Sequence, residues 1–290
     1  MKETVDSLLK GAIDMHMHTA PDVFGRSVTD VEAAAQAKAA GMSGIVIKNH
    51  FTLTADRAMF ASKEVGLPVY GSLVLNRYVG GFNPHAVDAA LRFGAKEVWM
   101  PTLTGRHHLR QSAHAGHVDS RLSKEERGLS VLDDGGELLP EVVTILEKIA
   151  TAKAILGTAH LSPDESRVLV RTAKEVGVSS ILVTHPEANF VGMSIEEMKE
   201  MVGLGAMLEF DYAALTHVMP TPRTPASTAQ AIKEIGADHC IMATDGGQDI
   251  SPPPVEMLRR FIGAMLGQGI SEAEIRTMVY TNPRRALGLA

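Results

Sequence analysis

Cysteine, an excess of basic residues and long apolar runs are all missing from this sequence. Its 290 residues contain one cysteine, Cys240, so an internal disulfide framework is excluded, and its apolar neighbours predict a buried strand thiol. Acidic residues outnumber basic ones, 34 to 28, which argues against a nucleic-acid-binding surface. No stretch approaches the roughly 20 apolar residues that cross a membrane. The first residues lack the basic region and apolar run of a secretory signal, and we therefore expect a cytoplasmic protein.

The sequence does contain a repeating pattern of short apolar runs and longer helix-like segments. The apolar runs cover residues 12–17, 44–47, 69–75, 97–101, 154–157, 180–183, 206–210 and 240–243. Their brevity and β-branched content fit strands buried on both faces, as in an all-parallel sheet. Helices are predicted over residues 27–40, 54–65, 84–93, 163–176, 194–202 and 227–235. Each ends at a glycine, which readily adopts the left-handed C-cap conformation.

Strands that alternate with helices predict β-α-β units and a parallel sheet. Eight units in about 280 residues match a single-domain (β/α)8 TIM barrel better than an open doubly wound sheet. The G-x-G-x-x-G turn that would favour dinucleotide binding in an open sheet is absent after the first run. The spacing widens between the fourth and fifth runs. We interpret residues 105–139 as an insertion after strand 4 that forms a lid or binding loop.

The first predicted strand ends in the motif H-x-H, formed by His16 and His18. Residues two apart on a strand point to the same side, so the two imidazoles project together. At the carboxyl end of a barrel strand they lie at the mouth, where the active sites of such barrels are found. Two imidazoles so placed can share one divalent metal ion.

Three further potential ligands follow later strands. His160 ends the fifth apolar run, His185 the sixth and Asp245 the eighth. Because a closed barrel brings its last strand beside its first, Asp245 can reach a metal held by His16 and His18. Taken singly, either later histidine could instead be a hydrogen-bonded residue of the rim. Together with the H-x-H motif, these residues predict a metal site at the mouth of the barrel.

The order of these residues resembles the amidohydrolase superfamily of metal-dependent hydrolases, and more narrowly a poorly characterised branch of it. The tail is similar to the closing helix common in that superfamily, with Asn282-Pro283 at its entrance and Leu287-Gly288-Leu289 at its end. The resemblance covers nearly the whole chain. It implies a TIM barrel and a divalent metal held by His16, His18, His160, His185 and Asp245.

The fourth predicted strand departs from the two-metal members of the superfamily. A carbamylated lysine or a glutamate normally bridges the two metals there, whereas Glu97 is at the amino end of this strand. The departure favours a single metal ion, although two remain possible. Lys48 and Glu209 are candidate bridging residues. A lysine that contacts substrate and a structural ion-pair partner are the alternative interpretations of these two side chains.

The resemblance implies hydrolysis of an amide, lactone or ester bond of a small molecule by metal-activated water. Asp245 would exchange protons with the water and the leaving group, and His185 would polarise the carbonyl or stabilise the oxyanion. The metal expected is zinc, with manganese or iron as alternatives. Arginines after strand ends suit a carboxylate group. Substrate contacts are predicted for Lys48, His50, Arg106 and Arg223.

Other functions are compatible with the same residues. A metal-dependent decarboxylase or hydratase of a small carboxylic acid would keep the site and change the reaction, and a metal-binding regulatory protein would bind without turnover. Phosphoesterases of the polymerase-and-histidinol-phosphatase type also begin with H-x-H, but they end in D-x-H, whereas Asp245 is followed by two glycines. Nucleic-acid and membrane partners are not expected. The sequence does not define the oligomeric state, and a homo-oligomer is possible.

Overall fold

The computed structural model describes residues 2–114, 128–219 and 221–289, with the backbone alone for residues 113 and 114. Within these ranges, eight parallel strands form the centre of the molecule. Each coincides with one of the predicted apolar runs, and its ends differ from the ends of that run by at most two residues. The strands are β1 (Ile13–His18), β2 (Gly44–Lys48), β3 in two segments (Val69–Tyr70 and Ser72–Val74), β4 (Glu97–Trp99), β5 (Ile155–Gly157), β6 (Ser180–Thr184), β7 (Met207–Asp211) and β8 (Cys240–Ala243).

The strands pair in the order in which they occur along the chain. β1 pairs with β2 and β2 with the first segment of β3, while the second segment of β3 begins a series of parallel pairings that runs to β8. Gly71 lies between the two segments, and its carbonyl accepts a hydrogen bond from the amide of Lys96 at 2.8 Å. A side chain at Gly71 would overlap the backbone of Ala55 at the start of the preceding helix, which explains the glycine.

Backbone hydrogen bonds between the end of β8 and β1 complete the ring. The amide of Asp245 donates to the carbonyl of His16 at 2.8 Å, and the amide of His18 donates to the carbonyl of Gly246 at 2.7 Å. Met17 and Gly246 also form a parallel bridge. The predicted (β/α)8 barrel is therefore confirmed. The same bonds hold the aspartate beside the two histidines.

Helices surround the strands, and the six predicted ones are confirmed with ends shifted by at most three residues. Side chains of Thr29, Ser162 and Ser194 begin three of them in capping boxes, in which a glutamate returns to the cap amide. The helices are α1 (Lys2–Leu9), α2 (Asp30–Ala39), α3 (Ala55–Val65), α4 (Pro84–Arg92), α5 (Arg106–His114), α6 (Pro140–Ala152), α7 (Pro163–Glu175), α8 (Ile195–Gly203), α9 (Pro225–Ile235), α10 (Pro254–Gly267), α11 (Glu272–Arg276) and α12 (Asn282–Leu287).

Apolar side chains fill the layer between strands and helices and the amino-terminal part of the barrel. Ile13 and Ile155, at the first residues of β1 and β5, belong to an interior cluster that packs against Ala286 and Leu287 of α12. The predicted closing helix thus covers the bottom of the barrel. Cys240 is buried on β8, as predicted.

The predicted insertion covers residues 105–139, and only part of it lies within the described ranges. Gly105 bridges Leu129, and Leu132 bridges Leu138. Residues 115–127 of this segment lie outside the described residues, as does the side chain of His114. That the segment acts as a lid stays a prediction. Among the helices of the described ranges, none is long and apolar enough to cross a membrane.

Candidate metal centre

Three predicted ligands from opposite ends of the chain meet at the carboxyl ends of β1 and β8. The Nε2 atoms of His16 and His18 lie 3.1 and 3.0 Å from Oδ1 of Asp245. Nitrogen and oxygen ligands bound about 2.0–2.2 Å from one zinc ion are roughly 3 Å apart. Both histidines are buried, whereas 11% of the Asp245 side chain is exposed. The three atoms can therefore bind one cation that faces the barrel mouth.

The backbone is strained where it presents the later ligands. The φ angles of His185 and Asp245 are +32° and +45°, and that of Ala159, which precedes His160, is +53°. Residues other than glycine seldom adopt such angles, which cost on the order of 1–3 kcal/mol each. Strain at three strand ends on one face of the barrel is typical of a functional site.

His185 lies beside the first three ligands without a hydrogen bond of its own. Both of its ring nitrogens are buried and have no hydrogen-bond partner among the described residues. Its ligand atom lies within 4.8 Å of carboxylate oxygens of Asp211 and Asp245. Leaving a buried polar group unpaired costs about 1–3 kcal/mol. The structure thus places His185 where a metal or a substrate atom would satisfy it.

His160 is close to the centre but is held differently. Its Nδ1 lies 2.7 Å from Nδ1 of His108 on α5, and its ring packs 4.3 Å from the ring of Phe190. The centroids of the His160 and His185 rings are 4.8 Å apart. Among the described residues, three potential ligands form a group when their donor atoms all lie within 4.8 Å of one another. No such group includes His160. Metal binding by His160 therefore stays a prediction.

Two carboxylates of β7 lie beneath His16, and sequence reasoning identifies only one of them. Oε1 of Glu209 is 2.9 Å from Nδ1 of His16, and Oδ2 of Asp211 is 3.5 Å from the same nitrogen. A carboxylate on Nδ1 fixes the ring and leaves Nε2 free for a metal. The sequence suggests Glu209 only as a bridging residue or a structural partner. It misses Asp211 because the predicted strand ends one residue earlier; the signal for Asp211 is the E-x-D spacing on a buried strand.

Lys48 and Glu97 also face this centre. Nζ of Lys48 lies 3.0 Å from Nε2 of His16 and 4.2 Å from the centroid of the Trp99 ring. Burial lowers the pKa of Lys48. Glu97 lies at the amino end of its strand, yet burial and then the charge of Glu209 raise its pKa. The position of Glu97 in the sequence therefore does not reveal its proximity to the polar interior.

The electrostatics of the site favour neutral imidazoles at His18 and His185, a protonated imidazole at His16 and an ionised carboxylate at Asp245. Burial and then Lys48 oppose the charge on His16, but the charges of Asp245 and Asp211 raise its pKa well above its usual value. A metal ion bound to His16 would therefore displace a proton. Burial lowers the pKa values of His18 and His185, with Arg26 adding to the effect at His18 and Lys48 at His185. For Asp245, burial opposes ionisation, but the charges and hydrogen bonds of His16 and His18 outweigh it and lower the pKa well below its usual value. Neutral imidazole and ionised carboxylate are the forms that bind metal ions.

A cavity of about 600 Å³ opens above the centre. Its lining includes the polar side chains of Lys48 and His50, and Nδ1 of His50 lies 2.9 Å from Oγ1 of Thr102. It also includes the apolar rings of Phe24 and Phe190. A cavity of this size and composition suits a small molecule with a few polar groups.

The two predicted substrate-binding arginines lie elsewhere. Arg106 lines a separate cavity with Arg110 and Ser162. Arg223 is exposed, and its Nε donates to the carbonyl of Glu187 at 2.7 Å. The structure brings Lys48 and His50 to the predicted metal ligands, but it does not bring these arginines there.

The barrel shares its fold with solved structures of hydrolases, one of them named as an amidohydrolase, and this agrees with the fold that the resemblance predicted. The chain is similar to an organophosphorus hydrolase from Deinococcus radiodurans, with 15% identity, a TM-score of 0.63 and coverage of 98% of this chain and 94% of that one. It is also similar to an amidohydrolase from Pseudomonas aeruginosa, with 13% identity, a TM-score of 0.63 and coverage of 98% of both chains. A third similar structure is an organophosphate hydrolase engineered from a weak promiscuous lactonase, with 14% identity, a TM-score of 0.61 and coverage of 97% of both chains.

The chain belongs to the family DUF6282, which is described as a family of unknown function and whose model matches residues 11–209. No curated protein matches the sequence. The structural similarities at 13–15% identity show the fold, so the chemistry has to be argued from the site.

Proposed function

We propose that this protein is a metal-dependent hydrolase that cleaves an amide, lactone or ester bond of a small molecule. The observation that carries the proposal is that Nε2 of His16 and Nε2 of His18 both lie within 3.1 Å of Oδ1 of Asp245, beside a cavity of substrate size. Proteins of this fold that are named as an organophosphorus hydrolase, a lactonase and an amidohydrolase support it.

The donor atoms fit a divalent cation. His16, His18 and Asp245 would hold it, with His185 adjacent and His160 as a further candidate, and zinc is the cation that we propose for this nitrogen-rich set. The unpaired nitrogens of His185 argue for a ligand at this place. Such a cation, when bound, acts as a Lewis acid and lowers the pKa of a coordinated water to about 7.

The side chains around the cation would move protons and orient the substrate. Asp245 is ionised and reaches the cavity, so its second oxygen can accept a proton from the attacking water and return it to the leaving group. His185 can donate a hydrogen bond to the carbonyl oxygen as negative charge develops there. Lys48 and His50 line the cavity and would contact the polar groups of the substrate.

The test combines metal analysis with a substrate screen. Purified protein is reconstituted with zinc or manganese and assayed on lactones, amides, esters and aromatic carboxylic acids, with ¹⁸O-labelled water to trace the oxygen. We expect bound metal, label in the product, and loss of turnover with Asp245→Asn but not with Asp164→Asn, an exposed carboxylate on α7.

The alternatives give different results. Loss of CO2 without label would indicate a decarboxylase, and metal binding without turnover would favour a regulatory protein. Undiminished activity in Asp245→Asn would refute the proton-transfer role.

A further inference from the structure

Asp211 at the end of β7 is a buried carboxylate without a hydrogen bond. It is 0% exposed, and neither of its oxygens has a hydrogen-bond partner among the described residues. The nearby Nδ1 of His16 lies 3.5 Å away and already faces Glu209 at 2.9 Å. An imidazole nitrogen carries one proton, so it cannot satisfy both carboxylates. Asp211 therefore has a binding capacity that the protein itself does not use.

The unused oxygens of Asp211 lie next to the unused nitrogens of His185. Donor atoms of His185, Asp211 and Asp245 all lie within 4.8 Å of one another, and His185 is 0% exposed. Asp245 belongs to this group and also to the group formed with His16 and His18. The two groups thus share one carboxylate, whose two oxygens offer about four lone-pair sites, so it can bind two cations and still accept a proton.

We propose that Asp211 is a metal ligand and that, with His185 and Asp245, it holds a second divalent cation beside the one held by His16, His18 and Asp245. The proposal rests on the proposed function for the first cation, and it replaces the hydrogen bond from His185 to the carbonyl oxygen by binding of His185 to the second cation. It gives the protein a two-metal centre without a bridging residue on β4, because Asp245 joins the two positions. A ligand on β7 would distinguish this centre from one built with a carbamylated lysine or a glutamate on β4.

The experiment measures metal stoichiometry rather than activity. Metal-free protein is loaded with Mn²⁺, freed of excess metal and analysed by elemental analysis and electron paramagnetic resonance. We expect two Mn²⁺ per chain and an exchange-coupled spectrum in the wild type. Asp211→Asn should bind one Mn²⁺ and give an uncoupled spectrum. Asp249→Asn, which changes an exposed carboxylate at the cavity mouth, should still bind two.

Each other outcome has a defined meaning. One ion in the wild type would overturn the second position and leave the proposed function intact, whereas no bound ion would remove both. Two ions in Asp211→Asn, or none, would show that Asp211 is not the ligand of a separate second position.

A second measurement covers failure of the variant to fold. Anomalous scattering from Mn²⁺-soaked wild-type crystals should give two peaks, one of them within coordination distance of Asp211. A single peak at His16, His18 and Asp245 would contradict the proposal.

Discussion

Glu187, in the loop after β6, offers a quantitative test of how burial controls stability. Its side chain is buried, and the hydroxyl of Thr228 donates to its two oxygens at 2.8 and 3.0 Å. Burial raises the pKa of this carboxyl from 4.5 to about 7, opposed in part by the hydrogen bond from Thr228 and the charge of Arg223. The folded protein therefore keeps a proton on Glu187 in a pH range where the unfolded chain has released it.

The direction of the effect follows from proton linkage. Between pH 4.5 and about 7 the unfolded state binds fewer protons at this site than the folded state, so the free energy of unfolding falls as the pH rises. Above the pKa of Glu187 in the folded protein, the free energy of unfolding has fallen by the full amount. Below the pKa of this group in the unfolded chain, it has not fallen. At 1.36 kcal/mol per pH unit, the difference between 4.5 and about 7 amounts to about 3 kcal/mol.

The substitution Glu187→Gln removes the titration and keeps an oxygen that accepts from Thr228. Its stability relative to the wild type should rise by about 3 kcal/mol between pH 4.5 and pH 8. Urea unfolding of metal-free protein, followed by circular dichroism at several pH values, measures this difference. Because both proteins share all other titrations, those cancel in the comparison.

The control is Glu196→Gln, which changes an exposed carboxylate on α8. Its stability relative to the wild type should be the same at each pH. A difference between Glu187→Gln and the wild type that also stays constant with pH would refute the burial argument.

Two further predictions concern the ligand framework. Glu209→Gln should weaken zinc binding about 10- to 100-fold in competition with a chromophoric chelator, because the carboxylate lies 2.9 Å from Nδ1 of His16; unchanged affinity would show that His16 is oriented without it. Gly247→Ala should lower the free energy of unfolding by about 3 kcal/mol or more, because φ is +113° and the new Cβ would overlap the carbonyl of His18. Gly203→Ala, with no atom within 4 Å of the new Cβ, should be neutral or stabilise by up to about 1 kcal/mol. Equal shifts in thermal unfolding for the two alanine variants would contradict this reasoning.

The barrel and the strand ends that carry its ligands follow from the sequence alone. Short apolar runs separated by capped helices specify parallel strands, because hydrophobic periodicity and helix caps are local properties that a single sequence displays. The H-x-H motif and Asp245 can be paired from their positions along the chain, since a closed barrel necessarily brings the first and last strands together. Their observed separations of 3.0–3.1 Å agree with that reasoning.

Which other polar residues reach the ligands depends on the tertiary structure. Asp211 faces His16 because of the register of β7 in the ring, whereas Arg223, also placed after a strand end, turns away to bond the backbone of Glu187. His160 meets His108 from an insertion whose docking no periodicity describes. Such contacts join residues far apart in sequence through strand register, side-chain rotamers and loop paths. These depend on packing over the whole molecule, so a local pattern of residues does not determine them.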